Sequence, residues 1–277
     1  MNPYVIKGPT SVSFSGGRTS AFMLRQVLDA NAARDDLRVV FANTGKEHES
    51  TLEFVEECGQ QWGVAITWLE WRDDAAGFEV VDFASASRAG EPFEALIRKR
   101  GYLPNPITRF CTSELKVRPI GRWLKTLGWD EWDSFIGIRA DEPRRVAKIR
   151  ERGRSTESAS ETMCMPLADA GVGVWDVASF WDRQTFGLRL GTYRGRTLAG
   201  NCDLCFLKPL GQRLSLVQAE PDRVIWWARM ESEGIGQGRG ARFRKDEPGY
   251  AALAQFASDQ GDWVDDLGEG IDCLCGE

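Results

Sequence analysis

Two kinds of apolar spacing alternate along the first half of the chain. SVSFS (residues 11–15), RVVFAN (38–43), AITWLEW (65–71) and SFIGIR (134–139) are short runs dominated by apolar and β-branched residues, the spacing of strands. Between them, residues 19–31 and 50–62 carry apolar positions every three or four residues, which predicts helices. Strands that alternate with helices predict an α/β fold, a parallel sheet wound with helices on both faces. In such sheets ligands sit at the carboxyl ends of the strands, where the strand order reverses. SGG follows the first strand, NTGKE the second and GIRADEPRR the fourth, so three polar motifs converge on that edge.

Residues 91–128 separate the third and fourth strands. Pro104 and Pro106 break a loop before Cys111, and residues 112–127 read as helical, capped by Thr112 or Ser113 and interrupted at Pro119. After Arg154 the pattern changes. STESASET (155–162) reads as a polar connector, and the remainder is mostly helical and rich in tryptophan. This divides the chain into an α/β domain (1–154) and a helical C-terminal cap (155–277), packed by Trp175, Trp181, Trp226 and Trp227.

Composition narrows the function classes. Hydrophobic residues make up 42% of 277 and charged residues 27%, and no apolar run reaches the roughly 18 residues of a membrane span. The N-terminal MNPYVIKGPT lacks a secretory pattern, so the expectation is a cytoplasmic chain with its seven cysteines reduced and no membrane partner. A net charge of −6 disfavours a protein that coats nucleic acid, although RRVAKIRERGR (144–154) and GRGARFRK (238–245) are local basic patches. The single histidine, His48, makes a Ser-His-Asp triad or a histidine metal site hard to assemble.

SVSFSGGRTS (11–20) carries the first chemistry. Ser15, Gly16, Gly17, Arg18, Thr19 and Ser20 are small or polar and lie between a strand end and a helix start, where backbone N–H groups and the helix dipole favour an anion. Val12 stands where the lysine-bearing triphosphatase loop has its first glycine, and Arg18 replaces its lysine. Asp141 and Glu142 are candidates for Mg²⁺ alongside phosphates, with salt bridges to Arg144 or Arg145 as the competing account.

The cysteines carry the second chemistry. Cys202 and Cys205 form a C-x-x-C, Cys273 and Cys275 a C-x-C near the end, and Cys111 sits in RFC. Such spacing suits an all-cysteine metal centre, with a catalytic dithiol and inert cysteines as alternatives. Cys58 and Cys164 read as structural.

S-x-S-G-G-x-x-S, followed in order by FANTGKEHESTLEFV (41–55), TRFCTSELKVRPI (108–120) and GIRADEPRR (137–145), resembles the PP-loop superfamily of adenine nucleotide alpha-hydrolase-like proteins. That superfamily includes ATP pyrophosphatases and the 3'-phosphoadenylyl-sulfate (PAPS) reductase family, and the resemblance covers roughly residues 10–150. It implies that Ser13, Ser15, Gly16, Gly17 and Ser20 hold phosphate, with Arg18 and Thr19 in the same loop. Asn43, Thr44, Gly45 and Gly137 would then lie by the nucleotide. Lys116 and Arg139 would bring positive charge and act with Cys111 as the catalytic set. Thr19 departs from the aspartate that the family often has there.

The intact SGG core resembles the ATP-cleaving members, which cut ATP between its α and β phosphates to make an adenylate that sulfur displaces. An adenine nucleotide, expected to be ATP with Mg²⁺, and a sulfur donor or reductant are the implied partners. The resemblance also favours an iron–sulfur cluster of the 4Fe–4S type over zinc, held by Cys111, Cys202, Cys205 and either Cys273 or Cys275. The alternatives are a sulfonucleotide reductase that releases sulfite, for which a tail cysteine would be the nucleophile, and a non-catalytic nucleotide-binding module. A nucleic acid reached through the basic patches is a candidate acceptor, and self-association as a homodimer is a further partner expectation.

Overall fold

The structure is a computed structural model and describes residues 2–32, 34–236 and 240–260. Its centre is a six-stranded sheet of β1 (Thr10–Ser13), β2 (Leu37–Asn43), β3 (Ile66–Glu70), β4 (Glu79–Val81), β5 (Trp132–Ile136) and β6 (Glu161–Cys164). The order is β4-β3-β2-β1-β5-β6, and only β4 runs antiparallel to its neighbour. The chain steps outward from β1 to β3 and returns to pair β5 on the other side of β1, so the switch point lies between β1 and β5.

Both faces of the sheet are covered, which explains the near-continuous apolar runs. On one face Val12, Phe14, Val39, Phe41 and Trp68 pack with residues of α1 (Arg18–Ala30) and α2 (Glu49–Trp62). After α3 (Glu91–Arg100) the chain forms one irregular helix: α4 (Phe110–Thr112), a π turn (Ser113–Val117) and α5 (Arg118–Thr126). On the other face Val40, Ala42, Leu69 and Trp132 meet Ile120 and Leu124 of α5. Ile136 and Ile138 meet Val146 and Ile149 of α6 (Pro143–Arg152) there.

Two expectations are corrected here. The helix begins at Phe110 rather than at a Thr112 or Ser113 cap, and it runs through Pro119. A proline inside an α-helix clashes with the carbonyl four residues back. The wider π turn just before Pro119, closed by Arg118 N–H donating to the carbonyl of Ser113, puts the ring at the first turn of α5 instead. The connector expected over 155–162 contains the start of β6, which pairs parallel with β5 from Trp132 opposite Glu161 to Phe135 opposite Cys164.

Past β6 come α7 (Pro166–Asp169), α8 (Val174–Trp181), a small hairpin of β7 (Thr192–Tyr193) and β8 (Arg196–Thr197), α9 (Leu210–Ala219), α10 (Val224–Ser232) and α11 (Tyr250–Gln260). Leu204, Phe206, Trp226, Trp227, Phe243 and Tyr250 share a core with Phe93, Leu96 and Ile97 of α3 and with Phe110 and Leu115. The chain on both sides of residue 154 therefore builds this core jointly. Trp181, Trp226 and Trp227 are buried, whereas Trp175 is 66% exposed and packs no core.

Candidate functional site

The glycine loop lies at the carboxyl end of β1, next to the switch point. Gly16 has φ of +77° and a Cβ there would come within 2.6 Å of Thr51 Cγ2, so only glycine fits this close approach to α2. Gly17 is the N-cap of α1 and supplies no side-chain cap, which leaves the first N–H groups of α1 for another acceptor. Ser15 and Ser20 interlock: the hydroxyls are 3.0 Å apart and Ser20 Oγ accepts from Ser15 N–H at 3.2 Å. Ser13 is half-buried at the end of β1.

Arg18 differs from the expectation. Its backbone belongs to the loop, but its guanidinium donates to the carbonyls of Leu188 and Leu190 and to Thr197 Oγ1. Its own carbonyl accepts from Trp181 Nε1 at 2.9 Å. The side chain thus ties the loop to the hairpin segment, and burial lowers its pKa.

Arg139 is 3% exposed at the end of the run after β5, and its Nη1 donates to Thr19 Oγ1 at 3.2 Å. Its Nε donates to Asp141 Oδ1 at 2.9 Å, and Glu142 accepts from its backbone N–H at 2.9 Å. Glu142 also pairs with Arg145. Glu142 is therefore engaged by Arg145, as in the salt-bridge account, whereas Asp141 pairs with Arg139 rather than with Arg144 or Arg145. Gly137 lets this segment approach α1, since a Cβ there would meet Ser20 Cα at 3.2 Å.

The turn after β2 forms the next wall. Asn43 is fully buried, with Nδ2 donating to Glu70 Oε1 at 2.6 Å and to the carbonyl of Ser87 at 2.9 Å, while Oδ1 accepts from Gly45 N–H at 3.1 Å. Thr44 gives its N–H to Glu47 Oε2 at 2.8 Å and its hydroxyl to the same carboxylate. Lys116, on the π turn, lies 3.7 Å from Glu47 Oε1. His48 caps α2, its Nδ1 accepting from Ser50 N–H, with Nε2 against Glu220.

Cys202 joins this wall from the far end of the sequence. It pairs with Glu47 in an antiparallel bridge, and its Sγ is 3.4 Å from Thr44 Oγ1 and 4.0 Å from Glu47 Oε1. Burial, then the Glu47 carboxylate, push the Cys202 thiol well above its ordinary pKa, against the pull of Lys116. Cys205 N–H donates to the Cys202 carbonyl in the C-x-x-C turn. Cys111 and Cys205 are partly buried against the same apolar core that holds Cys202. Among the described residues no group of three His, Cys, Asp or Glu is arranged to hold a metal ion. Cys273 and Cys275 lie outside the described residues. Cys58 is buried in the sheet core and Cys164, on the edge strand β6, is partly buried against it, and burial raises both pKa values, that of Cys164 to about 11.

Lys46, Glu47 and Asp203, which stand out in no motif of the sequence, hold this wall together. Lys46 Nζ is 3.2 Å from Asp203 Oδ2, with side chains 8% and 3% exposed, and 5.2 Å from the Trp226 ring centroid. Asp203 also accepts from Trp227 Nε1 at 2.8 Å. An Asp between the two cysteines and a Lys-Glu pair after a strand were the available signals.

A mostly parallel sheet with a glycine-serine loop at its switch point and a buried arginine against that loop makes an α/β domain, and its family match makes it a member of the adenine nucleotide alpha-hydrolase-like superfamily. Within it the chain belongs to the phosphoadenosine phosphosulfate reductase domain family, whose model matches residues 9–179. It is 30% identical over 209 residues to an uncharacterized nin region protein of Escherichia phage lambda, covering 71% of this chain and 65% of that protein. Two uncharacterized proteins of Methanocaldococcus jannaschii are each 29% identical, over 162 and 166 residues, and are covered for 29% and 34% of their lengths. The chain thus spans under two thirds of the phage relative and about a third of the archaeal ones.

Proposed function

We propose that this protein binds ATP in the Gly16–Ser20 loop, cleaves it between the α and β phosphates to adenylate an acceptor, and takes part in sulfur transfer to that acceptor. The observation that carries the reading is the Arg139 guanidinium, 3% exposed and 3.2 Å from Thr19 Oγ1 at the start of α1. A buried cation beside uncapped helix N–H groups suits a polyphosphate, whose charge grows on the leaving group. An acceptor oxygen would attack the α-phosphorus while the bond to the β-phosphate oxygen breaks and pyrophosphate leaves. A thiol or persulfide donor would then displace AMP. Lys116, on the π turn beside Glu47, would screen the phosphates. Cys111, on α4 just before the π turn that carries Lys116, would supply a thiol.

A cysteine-held cluster would draw on three thiols of the described residues. Cys202, Cys205 and Cys111 share one core, but the described residues alone do not close a ligand set, and completion would need Cys273 or Cys275.

The test is product analysis of the anaerobically purified chain given either ATP with a thiol donor or PAPS with thioredoxin. Pyrophosphate from ATP, lost in Ser15→Asp, supports the reading. Sulfite from PAPS without pyrophosphate from ATP replaces it with a sulfonucleotide reductase, and nucleotide binding without either product replaces it with a non-catalytic module.

A further inference from the structure

A cleft of about 450 Å³ opens between the segment around the RFC motif and the C-terminal half of α6. Phe110, Ile149 and Met163 give it apolar walls, and Thr108, Arg152 and Ser155 give it polar ones. The volume is in the range of sites for small organic groups. Phe110 and Thr112, the neighbours of Cys111, both line it, and one helical turn further on Lys116 reaches Glu47 at the nucleotide edge. The cleft and the nucleotide site therefore share one stretch of helix.

We propose that this cleft binds single-stranded nucleic acid, with one nucleoside seated inside and adjacent phosphates carried along α6. Three observations point to this class. First, Arg144, Lys148 and Arg152 recur at four-residue spacing, about 6 Å apart along the helix. Arg144 and Lys148 are exposed and form no ion pair among the described residues, and Arg152 Nε is buried without a hydrogen-bond partner among them. The one acid in the cleft lining, Glu157, is taken up by Arg118 at 3.2 Å. A cationic row on a chain of net charge −6 is a local electrostatic footprint for phosphates.

Second, Ile107 at the cleft mouth is 92% exposed. It is held out rigidly, because Asn105 Oδ1 accepts from both Ile107 N–H (2.9 Å) and Thr108 N–H (3.0 Å), and prolines flank the turn at positions 104 and 106. A fixed apolar side chain beside an apolar pocket suits a planar base, whose face stacks without regard to sequence. An acidic peptide would use the cations and leave Ile107 and the apolar walls without a role. Third, the row begins at the residues following Arg139 and ends at the cleft, so a strand laid on α6 runs between the two sites. Calling this strand the acceptor rests on the function proposed above, whereas its binding does not.

The experiment is fluorescence anisotropy of a fluorescein-labelled twelve-nucleotide oligo(dT) with the full chain at several salt concentrations. The variants are Arg144→Glu/Lys148→Glu and Ile107→Asp, all at exposed positions. The expected result is binding at low salt that the double variant weakens at least about tenfold, with the salt slope reduced by about 1.4, or about 0.7 per lost phosphate contact. Ile107→Asp weakens binding severalfold, and polyglutamate does not displace the oligonucleotide. ATP binding stays unchanged in every variant, which shows that they are folded. No binding by the parent, parental affinity in Ile107→Asp, or displacement by polyglutamate overturns the proposal. Oligonucleotide binding by a protein that releases no pyrophosphate sinks the function reading and leaves this one standing.

Discussion

Cys202 Sγ lies 3.4 Å from Thr44 Oγ1, joining the turn after the second strand to a C-x-x-C more than 150 residues later. The shared partner is Glu47, which accepts from Thr44 and faces both Cys202 and Lys116. Burial, then this carboxylate, holds the thiol up, so removing the Glu47 charge leaves burial opposed by Lys116 and brings the thiol part of the way down. Glu47→Gln is therefore expected to speed iodoacetamide labelling of Cys202 at pH 8 in metal-free protein, read by peptide mass spectrometry. Slower labelling than in the parent contradicts the assigned electrostatics.

The Arg18 guanidinium tethers the Gly16–Ser20 loop to the hairpin segment. Lysine cannot make the same fork of hydrogen bonds. Arg18→Lys is expected to lower stability by about 2 kcal/mol, the scale of lost hydrogen bonds to a charged group, while ATP affinity changes by less than about threefold. Chemical denaturation and calorimetric titration measure the two. An unaltered stability with a large loss of affinity would make Arg18 a phosphate ligand.

The Lys46–Asp203 pair is buried, so leaving one partner alone is costly. Asp203→Ala is expected to cost about 3–5 kcal/mol, and Lys46→Met combined with Asp203→Leu to recover a good part of it. Thermal midpoints of the three proteins test this, with a fall of about 10 °C expected for the single variant.

Acid stability has a named contributor. Hydrogen bonding to Arg229, then to Arg98, lowers the Glu94 carboxyl from 4.5 to about 2. A carboxylate held below its unfolded value adds stability that is complete above about 4.5 and lost as pH falls toward about 2. Glu94→Gln should flatten the stability profile in that window and leave its shape near neutrality unchanged, as followed by urea denaturation across pH. The cost at pH 7 is on the order of 1 kcal/mol, because the pairs are partly solvated.

The sheet was legible where strands are long or central. β1, β2, β3 and β5 sit inside the sheet and show it as apolar runs, but β4 and β6 are its two edge strands, of three and four residues, and carry no such run. ETMC also follows a polar stretch, and its strand character comes from pairing with β5. Pro119 misled because a proline's effect depends on the turn before it, and a π turn leaves no mark in composition. At the site, the glycines, serines and cysteines announced themselves by local spacing. Lys46 and Asp203 did not, since a buried charge makes sense only with its partner, and theirs lies far away in sequence.

The central claim is that the Gly16–Ser20 loop holds the phosphates of an adenine nucleotide, and calorimetric titration of Mg-ATP into the parent and Ser15→Asp tests it most directly. Ser15 is half-buried at the loop, so the new carboxylate would meet the phosphates without entering the core. The expected result is saturable binding to the parent, weakened at least about 100-fold in Ser15→Asp by like-charge repulsion, at nearly equal thermal midpoints. Equal affinity in the two proteins, or no binding to the parent, would contradict it.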